Sequence, residues 1–194
     1  MSSTTGKHRL KDDFYGTPAW CVDALLDAGV IHPWFLATKI ILEPSAGNGA
    51  IVRALIARGA ARALITAVER DQKRAASLGV VAGRVVHEDF LRVEVGKFDL
   101  VVMNPPYSEA QAHVEHAIRH LKPGGTCAAL LRIGFACTKK RRAFRVGHPF
   151  DFYPLATRPS FHGKEGGTDS CEYAWFVFGG GGGRFRVLES AKGA

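Results

Sequence analysis

The stretch KIILEPSAGNGAIVRALIAR, residues 39–58, decides the fold. It predicts a short apolar strand over residues 39–42, a glycine-containing turn over 43–49, and a helix over 50–58 that stops at Gly59. A strand that leads into a helix through such a turn is the repeating unit of a parallel sheet covered by helices. The protein is therefore predicted to have an α/β fold.

The same alternation of strand and helix continues on both sides of this stretch, as a parallel sheet requires. Further strands are predicted at 63–68, 84–87, 98–103 and 126–133, and further helices at 19–27, 71–78 and 108–121. The last two strands, 150–157 and 173–178, leave no room for a helix between them. We expect them to pair as an antiparallel hairpin at the edge of the sheet.

The length and composition indicate one folded domain. The chain has 194 residues, of which 46% are hydrophobic and 23% charged, as in ordinary globular domains. The domain is expected to span residues 14–178, between a flexible polar tail, 1–13, and a flexible glycine-rich tail, 179–194. No apolar run approaches the ~20 residues that cross a bilayer, and the polar start shows no signal peptide. We therefore expect a cytoplasmic protein that does not bind membranes.

The net charge indicates the class of partner, and the cysteine spacing argues against two kinds of structural site. A net charge of +8 favours polyanions, and nucleic acid is the expected partner. The four cysteines are scattered without a C-x-x-C pair, which argues against a disulfide framework and against a thiolate zinc site. We expect buried or inert thiols at Cys21, Cys127, Cys137 and Cys171.

The glycine turn and two acidic residues after the next strands indicate a nucleoside-containing ligand. Gly47-Asn48-Gly49 lets the backbone approach a ligand at a helix N-terminus. Val52 replaces the third small residue of the dinucleotide fingerprint, so a ligand without pyrophosphate is favoured. Glu69, twenty positions after the turn, is placed to bind ribose hydroxyls. Asp89 could accept a hydrogen bond from the amine of the base, and a helix N-cap is the alternative role.

Asn104-Pro105-Pro106-Tyr107 directly follows the predicted strand 98–103. It lies at the carboxyl end of that strand, where open α/β sheets bind their ligands. The amide oxygen, a proline carbonyl and an aromatic ring can together hold a flat ring that bears an amino group, and the prolines make the turn stiff. The alternative is a proline-stiffened loop whose asparagine caps its own turn.

These motifs carry a resemblance to a known family. EPSAGNGA (43–50), AVER (67–70), EDF (88–90) and FDLVVMNPPY (98–107) occur in the order found in S-adenosylmethionine-dependent amino-methyltransferases. The chain resembles more narrowly the adenine-specific DNA methyltransferases, including small phage-type members, over residues 14–178. The resemblance implies a Rossmann-like class I methyltransferase fold, with a mostly parallel seven-stranded sheet, an antiparallel edge hairpin and helices on both faces. For a phage protein the compartment would be the host cytoplasm.

The resemblance also implies the cofactor, S-adenosylmethionine, with S-adenosylhomocysteine as its product. Glu43, Ala46 and Gly47 would surround the methionine part, Glu69 would bind the ribose, and Asp89-Phe90 would contact the adenine. The implied cofactor-binding residues are Tyr15, Thr17, Pro18, Glu43, Pro44, Ala46, Gly47, Gly49, Glu69, Arg70, Asp89 and Phe90. For Thr17, capping of the first helix is the alternative role.

The implied reaction is direct methyl transfer to the exocyclic amine of adenine in DNA. The base would be swung out of the duplex and stacked on Tyr107, while the Asn104 side-chain oxygen and the Pro105 carbonyl accept hydrogen bonds from the amine. Pro106 completes the catalytic motif. Positioning and electrostatics would supply most of the acceleration, without a general base. Because no stretch of order 100 residues remains for a target-recognition domain, we expect a loose or short recognition sequence.

Two further elements are candidates for binding the nucleic acid. The basic run Lys139-Lys140-Arg141-Arg142, with Arg145, follows the fifth predicted strand and could hold phosphates. Its alternative is a solvated helix face. Phe161 could contact the displaced base or belong to the core. The loop 158–168 is expected to contact DNA together with the basic run.

Other activities remain open at this point. The NPPY motif would serve an RNA adenine methyltransferase or a protein glutamine methyltransferase equally well, and a cofactor-binding regulator without turnover is a further alternative.

His113, His116 and His120 share one side of a predicted helix, and the last two have the spacing of metal ligands. We expect a polar helix face there and no metal. The oligomeric state is not predicted.

Overall fold

A single seven-stranded sheet forms the centre of the protein. The computed structural model describes residues 16–161 and 169–189. The strands are β1 (Ile41–Glu43), β2 (Ile65–Val68), β3 (Arg84–Val86), β4 (Phe98–Met103), β5 (Leu121–Arg132), β6 (Phe150–Pro154) and β7 (Tyr173–Phe178). Their order across the sheet is β3-β2-β1-β4-β5-β7-β6. The first five strands are parallel, and β7 runs antiparallel to β5 and to β6. The predicted edge hairpin is confirmed.

Helices cover both faces of this sheet. They are α1 (Ala19–Asp27), α2 (Pro33–Leu36), α3 (Ala50–Ala57), α4 (Gln72–Leu78), α5 (Ala110–Arg119) and α6 (Arg142–Gly147). Successive side chains of a strand point to opposite faces, so Ile41 enters the core beneath α1 and α3, while Leu42 enters the core beneath α5 and α6. No helix within the described ranges is long and apolar enough to cross a membrane.

The largest boundary error concerns β5. The sequence pattern predicts that this strand starts at residue 126 and that Gly124 and Gly125 end the preceding helix. In the structure β5 begins at Leu121, which pairs with Phe98. A Cβ atom on Gly125 would lie 3.0 Å from the Phe98 carbonyl oxygen. Glycine here permits close approach to β4 rather than ending a helix.

The described part of the predicted C-terminal tail packs against the fold. Phe185 forms an isolated β-bridge with Phe152 of β6, and the buried Leu188 forms one with Leu155. The backbone N–H of Arg184 donates to Asp151 Oδ1 (2.9 Å), and its Nε donates to Oδ2 (2.8 Å). Because the Asp151 carboxylate is fully buried, it requires such partners. Residues 184–188 of the predicted flexible tail thus pack against β6 and the segment after it. Residues 1–13 and 190–194 lie outside the described ranges.

The cysteines are all free thiols. Cys21 and Cys127 are buried, and burial raises the pKa of both thiols well above the ordinary value. Cys137 is exposed and Cys171 is half-buried. The prediction of buried or inert thiols is met by the two buried residues, whose raised pKa values keep them protonated and unreactive.

Candidate active site

The carboxyl ends of β1 and β2, together with the segment after β3, surround an open cleft of about 670 Å³. This volume includes open solvent at the mouth of the cleft. The cleft is lined by Thr17, Glu43, Pro44, Ser45, Ala46, Gly47, Asn48, Ala50, Ile51, Val68, Glu69, Arg70, Arg74, Glu88, Asp89, Phe90, Pro106 and His113. Nine of the cofactor-binding residues implied by the resemblance are among these: Thr17, Glu43, Pro44, Ala46, Gly47, Glu69, Arg70, Asp89 and Phe90.

The remaining three residues of that set have other positions. Pro18 is the N-cap residue of α1, and Gly49 is the N-cap residue of α3. Neither lines the cleft. Tyr15 lies outside the described residues. The predicted set is therefore brought together except at these positions.

The glycine turn has a conformation that only glycine adopts easily. Gly49 has φ +78°, and a Cβ atom there would lie 2.8 Å from a methyl carbon of Leu78 on α4. The turn is tied by hydrogen bonds from Gly49 N–H to the Ala46 carbonyl (2.7 Å) and from Ala46 N–H to the Val68 carbonyl (3.0 Å). The turn is thus fixed to the end of β2 and beside α4.

Glu69 holds the glycine turn in place. Its Oε2 accepts a hydrogen bond from Gly47 N–H at 2.7 Å, and its Oε1 accepts from Asp71 N–H at 2.8 Å and from Arg74 Nε at 3.2 Å. Only 6% of the residue is exposed. We call this arrangement the Glu69 clamp. It is a structural role that the sequence analysis did not identify, and the carboxylate retains lone pairs for a ligand.

Glu43 brings a second, fully buried carboxyl group to the cleft. Its Oε1 accepts from Ser45 N–H at 3.1 Å. Burial raises the pKa of Glu43 well above its ordinary value; the hydrogen bond from Ser45 opposes this change and the charge of Glu69 adds to it. Oε2 of Glu43 and Oγ of Ser45 are buried and have no hydrogen-bond partner within the described part of the chain. The cleft therefore contains polar atoms that a ligand can satisfy.

Replacing Glu43 by glutamine should stabilise the fold increasingly as pH rises. A raised pKa in the folded state means that the fold retains a proton which the unfolded chain releases above about pH 4.3. Stability of the parent therefore falls from that pH up to the folded-state pKa, whereas a glutamine side chain does not titrate. Urea denaturation at a series of pH values, from below the ordinary glutamate pKa to mildly alkaline, should show a growing stability advantage for Glu43→Gln. Parallel stability curves for the two proteins would contradict this expectation.

Asp89 and Phe90 form the side of the cleft next to α5. Asp89 Oδ1 accepts from Leu91 N–H at 3.0 Å, so the alternative capping role is confirmed, while the residue also lines the cleft. The Phe90 ring is surrounded by the imidazoles of α5, with centroid distances of 5.9, 4.6 and 5.5 Å to His113, His116 and His120. All three histidines are buried. The predicted polar helix face is wrong, because this side of α5 packs on Phe90.

Hydrogen bonds satisfy the two histidines with metal-ligand spacing. His116 Nδ1 accepts from Arg119 (2.6 Å), and its Nε2 donates to the Val93 carbonyl (3.1 Å). His120 Nδ1 donates to the His116 carbonyl (2.9 Å), and a Glu94 carboxylate oxygen lies 3.1 Å from His120 Nε2. Glu94 was not predicted to lie beside these histidines. Glu94, His116 and His120 place potential metal-ligand atoms within 4.8 Å of one another. Burial lowers the pKa of His113, which faces the cleft.

Asn104 follows β4 and contacts Thr17, a residue that lines the cleft. Its Nδ2 donates to Oγ1 of Thr17 at 3.0 Å, and Thr17 is itself 5% exposed. Oδ1 of Asn104 is buried and has no hydrogen-bond partner among the residues that the structure describes. The predicted cap role of Thr17 is not observed, since Pro18 is the N-cap residue of α1 and no side chain caps that helix. This buried amide oxygen is therefore available to accept a hydrogen bond.

Tyr107 belongs to an aromatic and charged cluster that the sequence analysis missed in part. The Arg132 guanidinium lies 4.7 Å from the Tyr107 ring centroid, and Arg132 Nε donates to Tyr173 OH at 3.2 Å. Tyr173 OH donates to Asp169 at 2.7 Å. Burial raises the pKa of Tyr107 far above its ordinary value and that of Tyr173 to about 12. The available signal for Arg132 was its position at the end of β5, beside the end of β4.

The candidate nucleic-acid-binding residues lie after β5 and β6. Phe161 is buried with its ring 5.0 Å from Tyr173, so it joins the aromatic cluster around Tyr107. The basic run forms a 3₁₀ turn, Lys139–Arg141, and the start of α6. Lys139, Lys140 and Arg142 are exposed and form no ion pair with any residue in the described ranges. Of the loop 158–168, residues 162–168 are not described.

Comparison with known proteins identifies the fold. No model of a protein family matches the chain, and no curated protein matches it in sequence. A Listeria monocytogenes structure assigned to the class I S-adenosylmethionine-dependent methyltransferases matches 93% of this chain and 68% of that one, with TM-score 0.68 and 16% identity.

Two nucleic-acid enzymes are also similar in structure. The type IIG restriction endonuclease BpuSI matches 93% of this chain with TM-score 0.70 and 15% identity, over 28% of its own length. A T. thermophilus 16S rRNA N2 methyltransferase in complex with AdoMet and guanosine matches 91% of this chain with TM-score 0.58 and 22% identity, over 44% of its own length. The protein has the Rossmann-like fold of class I methyltransferases, as predicted.

Proposed function

We propose that the protein transfers a methyl group from S-adenosylmethionine to the exocyclic amine of adenine in DNA, with loose or short sequence specificity. One observation carries the proposal. The buried Asn104 Oδ1, without a partner among the described residues, lies at the end of β4 beside Tyr107 and beside a cleft lined by the glycine turn, Glu69 and Asp89. An acceptor atom, an aromatic ring and an open cleft are thus adjacent.

The chemistry of the cleft fits this cofactor. Four acidic residues line it, Glu43, Glu69, Glu88 and Asp89, although the protein has a net charge of +8. S-adenosylmethionine carries ammonium and sulfonium cations, which the carboxylates of Glu69, Glu88 and Asp89 attract. Glu43 Oε2 and Ser45 Oγ are buried atoms that its methionine part could satisfy. When bound, S-adenosylmethionine supplies the methyl group and leaves as S-adenosylhomocysteine.

The residues after β4 would bind the acceptor. Asn104 Oδ1 and the Pro105 carbonyl would accept hydrogen bonds from the adenine amine, which localises the nitrogen lone pair toward the methyl donor. Tyr107 would stack on the base, and Pro106 would keep the turn stiff. The raised pKa of Tyr107 keeps its hydroxyl neutral, so it does not act as a base. Positioning and electrostatics would supply the acceleration.

DNA is the proposed partner because exposed positive charge follows the strand that contacts the acceptor residues. Lys139, Lys140 and Arg142 come after β5, whose Arg132 contacts Tyr107. Exposed cations of this kind bind phosphates without reading sequence. This mode of binding supports loose or short specificity. Two of the structurally similar proteins are named for nucleic-acid enzymes, one a 16S rRNA methyltransferase and one a restriction endonuclease, which supports a nucleic-acid partner.

The test is methyl transfer by the purified protein. It should be incubated with S-adenosylmethionine labelled in the methyl group and, separately, with duplex DNA, RNA and bulk protein, followed by mass analysis of the nucleosides. We expect N6-methyladenine in DNA, at a rate that falls steeply between about 50 and 200 mM salt, because phosphate contacts release counterions.

Other outcomes would replace the proposal with a stated alternative. Label in RNA alone would indicate an RNA adenine methyltransferase, and label in protein would indicate a glutamine amide methyltransferase. Binding of S-adenosylmethionine without transfer to any substrate would indicate a regulator without turnover. Strict methylation of one long DNA site would contradict the loose specificity.

A further inference from the structure

Thr17 and Asn104 are joined by a buried hydrogen bond between two distant parts of the chain. Asn104 Nδ2 donates to Thr17 Oγ1 at 3.0 Å across 87 positions of sequence. Thr17 is 5% exposed and belongs to the segment before α1, where its hydroxyl does not cap the helix. The threonine hydroxyl is therefore directed to Asn104 rather than to its own helix.

The segment that carries Thr17 is held against the glycine turn. A Cβ atom on Gly16 would lie 3.4 Å from Nδ2 of Asn48, so the backbone of this segment is in contact with the turn. Thr17 also lines the cofactor cleft, while Asn104 follows β4. One buried hydroxyl thus connects the wall of the cleft to the proposed acceptor site.

An asparagine side chain has two chemically opposite ends, and a rotation of about 180° exchanges them. An amine acceptor requires the oxygen end, because the NH₂ end would meet the N–H groups of the substrate with its own N–H groups. The Thr17 hydroxyl binds the NH₂ end. It thereby leaves Oδ1, which has no partner within the described residues, for the substrate.

We propose that Thr17 is a positioning residue that fixes the Asn104 amide with its oxygen toward the target amine. This inference rests on the proposed methyl transfer. It assigns Thr17 a role in turnover, distinct from the contact with the cofactor that the resemblance implies. Without the hydroxyl, the amide loses this anchor and is held less firmly in the orientation in which Oδ1 accepts a hydrogen bond from the amine.

The test compares Thr17→Val, which keeps the size and removes the hydroxyl, with Thr17→Ser, which keeps the hydroxyl. At saturating S-adenosylmethionine we expect kcat of Thr17→Val to fall about 10- to 100-fold, in line with the loss of one oriented polar contact in an active site. KM for DNA and the Kd for S-adenosylmethionine, measured by calorimetry, should change less than about threefold. Thr17→Ser should restore kcat to within about threefold of the parent.

The outcomes separate this inference from the proposed function. If the parent protein transfers no methyl group, the proposed function fails. If the parent is active and Thr17→Val has the parental kcat, or loses only cofactor affinity, then Thr17 does not position Asn104. Should Thr17→Val fail to fold, the pair Thr17→Ala and Thr17→Ser, which differ only by the hydroxyl, provides the same comparison. Equal kcat values in that pair would overturn the inference.

Discussion

Replacing Asn104 by alanine is expected to lower kcat for methyl transfer by about 10²- to 10³-fold, the effect typical of removing one preorganised polar group from an active site. Oδ1 of Asn104 is buried and has no partner among the described residues, so it is available to the substrate. Asn104 is not among the residues that line the cleft, so the shorter side chain removes this acceptor and, at the cleft wall, only the hydrogen bond to Thr17 Oγ1. The Kd for S-adenosylmethionine should therefore stay within about twofold of the parental value.

Rates of methyl transfer to DNA and calorimetric binding of S-adenosylmethionine check this expectation together. Gln111→Ala is a matched control, because it also removes a side-chain amide. This amide donates to Glu115 within helix α5. The control should retain parental kcat. If Asn104→Ala transferred methyl groups as fast as Gln111→Ala, the proposed acceptor role of Asn104 would be wrong.

Replacing Glu69 by alanine should both destabilise the fold and abolish cofactor binding at ordinary concentrations. The Glu69 clamp satisfies Gly47 N–H and Asp71 N–H, and each buried donor left unsatisfied costs about 1–3 kcal/mol. We expect a loss of about 2–4 kcal/mol in the free energy of unfolding. The glycine turn would also lose its attachment to the segment after β2, so the Kd for S-adenosylmethionine should rise by at least about 100-fold.

Urea denaturation and calorimetry measure the two effects of Glu69→Ala separately. Glu109→Ala serves as the control, because it removes an exposed carboxylate that lies 3.8 Å from Arg70. Such a pair contributes less than about 1 kcal/mol, and the control should bind the cofactor normally. A stable Glu69→Ala protein that binds S-adenosylmethionine like the parent would show that the clamp does not hold the turn.

Sequence patterns were sufficient for the sheet because each strand has a local signal. β4 and β7 have the predicted bounds, since their apolar runs are long and are followed by a proline turn or by glycine. The start of β5 was misplaced because two glycines that usually end helices instead allow close contact with β4. Local composition does not distinguish these roles, which depend on the neighbouring strand.

The candidate site was predictable where strand ends bring residues together. The glycine turn, Glu69, Asp89 and Asn104 all follow strands, and parallel strands end at one edge. The Thr17–Asn104 bond could not be predicted, because it joins segments whose spacing is set only by packing. The burial of the α5 histidines was missed for the same reason, since Phe90 reaches them from another segment.

Residues 184–188 pack along the outer edge of β6. β6 is the last strand of the sheet, and a free edge strand offers its backbone groups to strands of other chains. Here Phe152 N–H donates to the Arg184 carbonyl (2.8 Å), and Leu188 N–H donates to the Pro154 carbonyl (2.7 Å). The chain's own C-terminal segment thus covers this edge, which leaves fewer free backbone groups there to pair with strands of other chains.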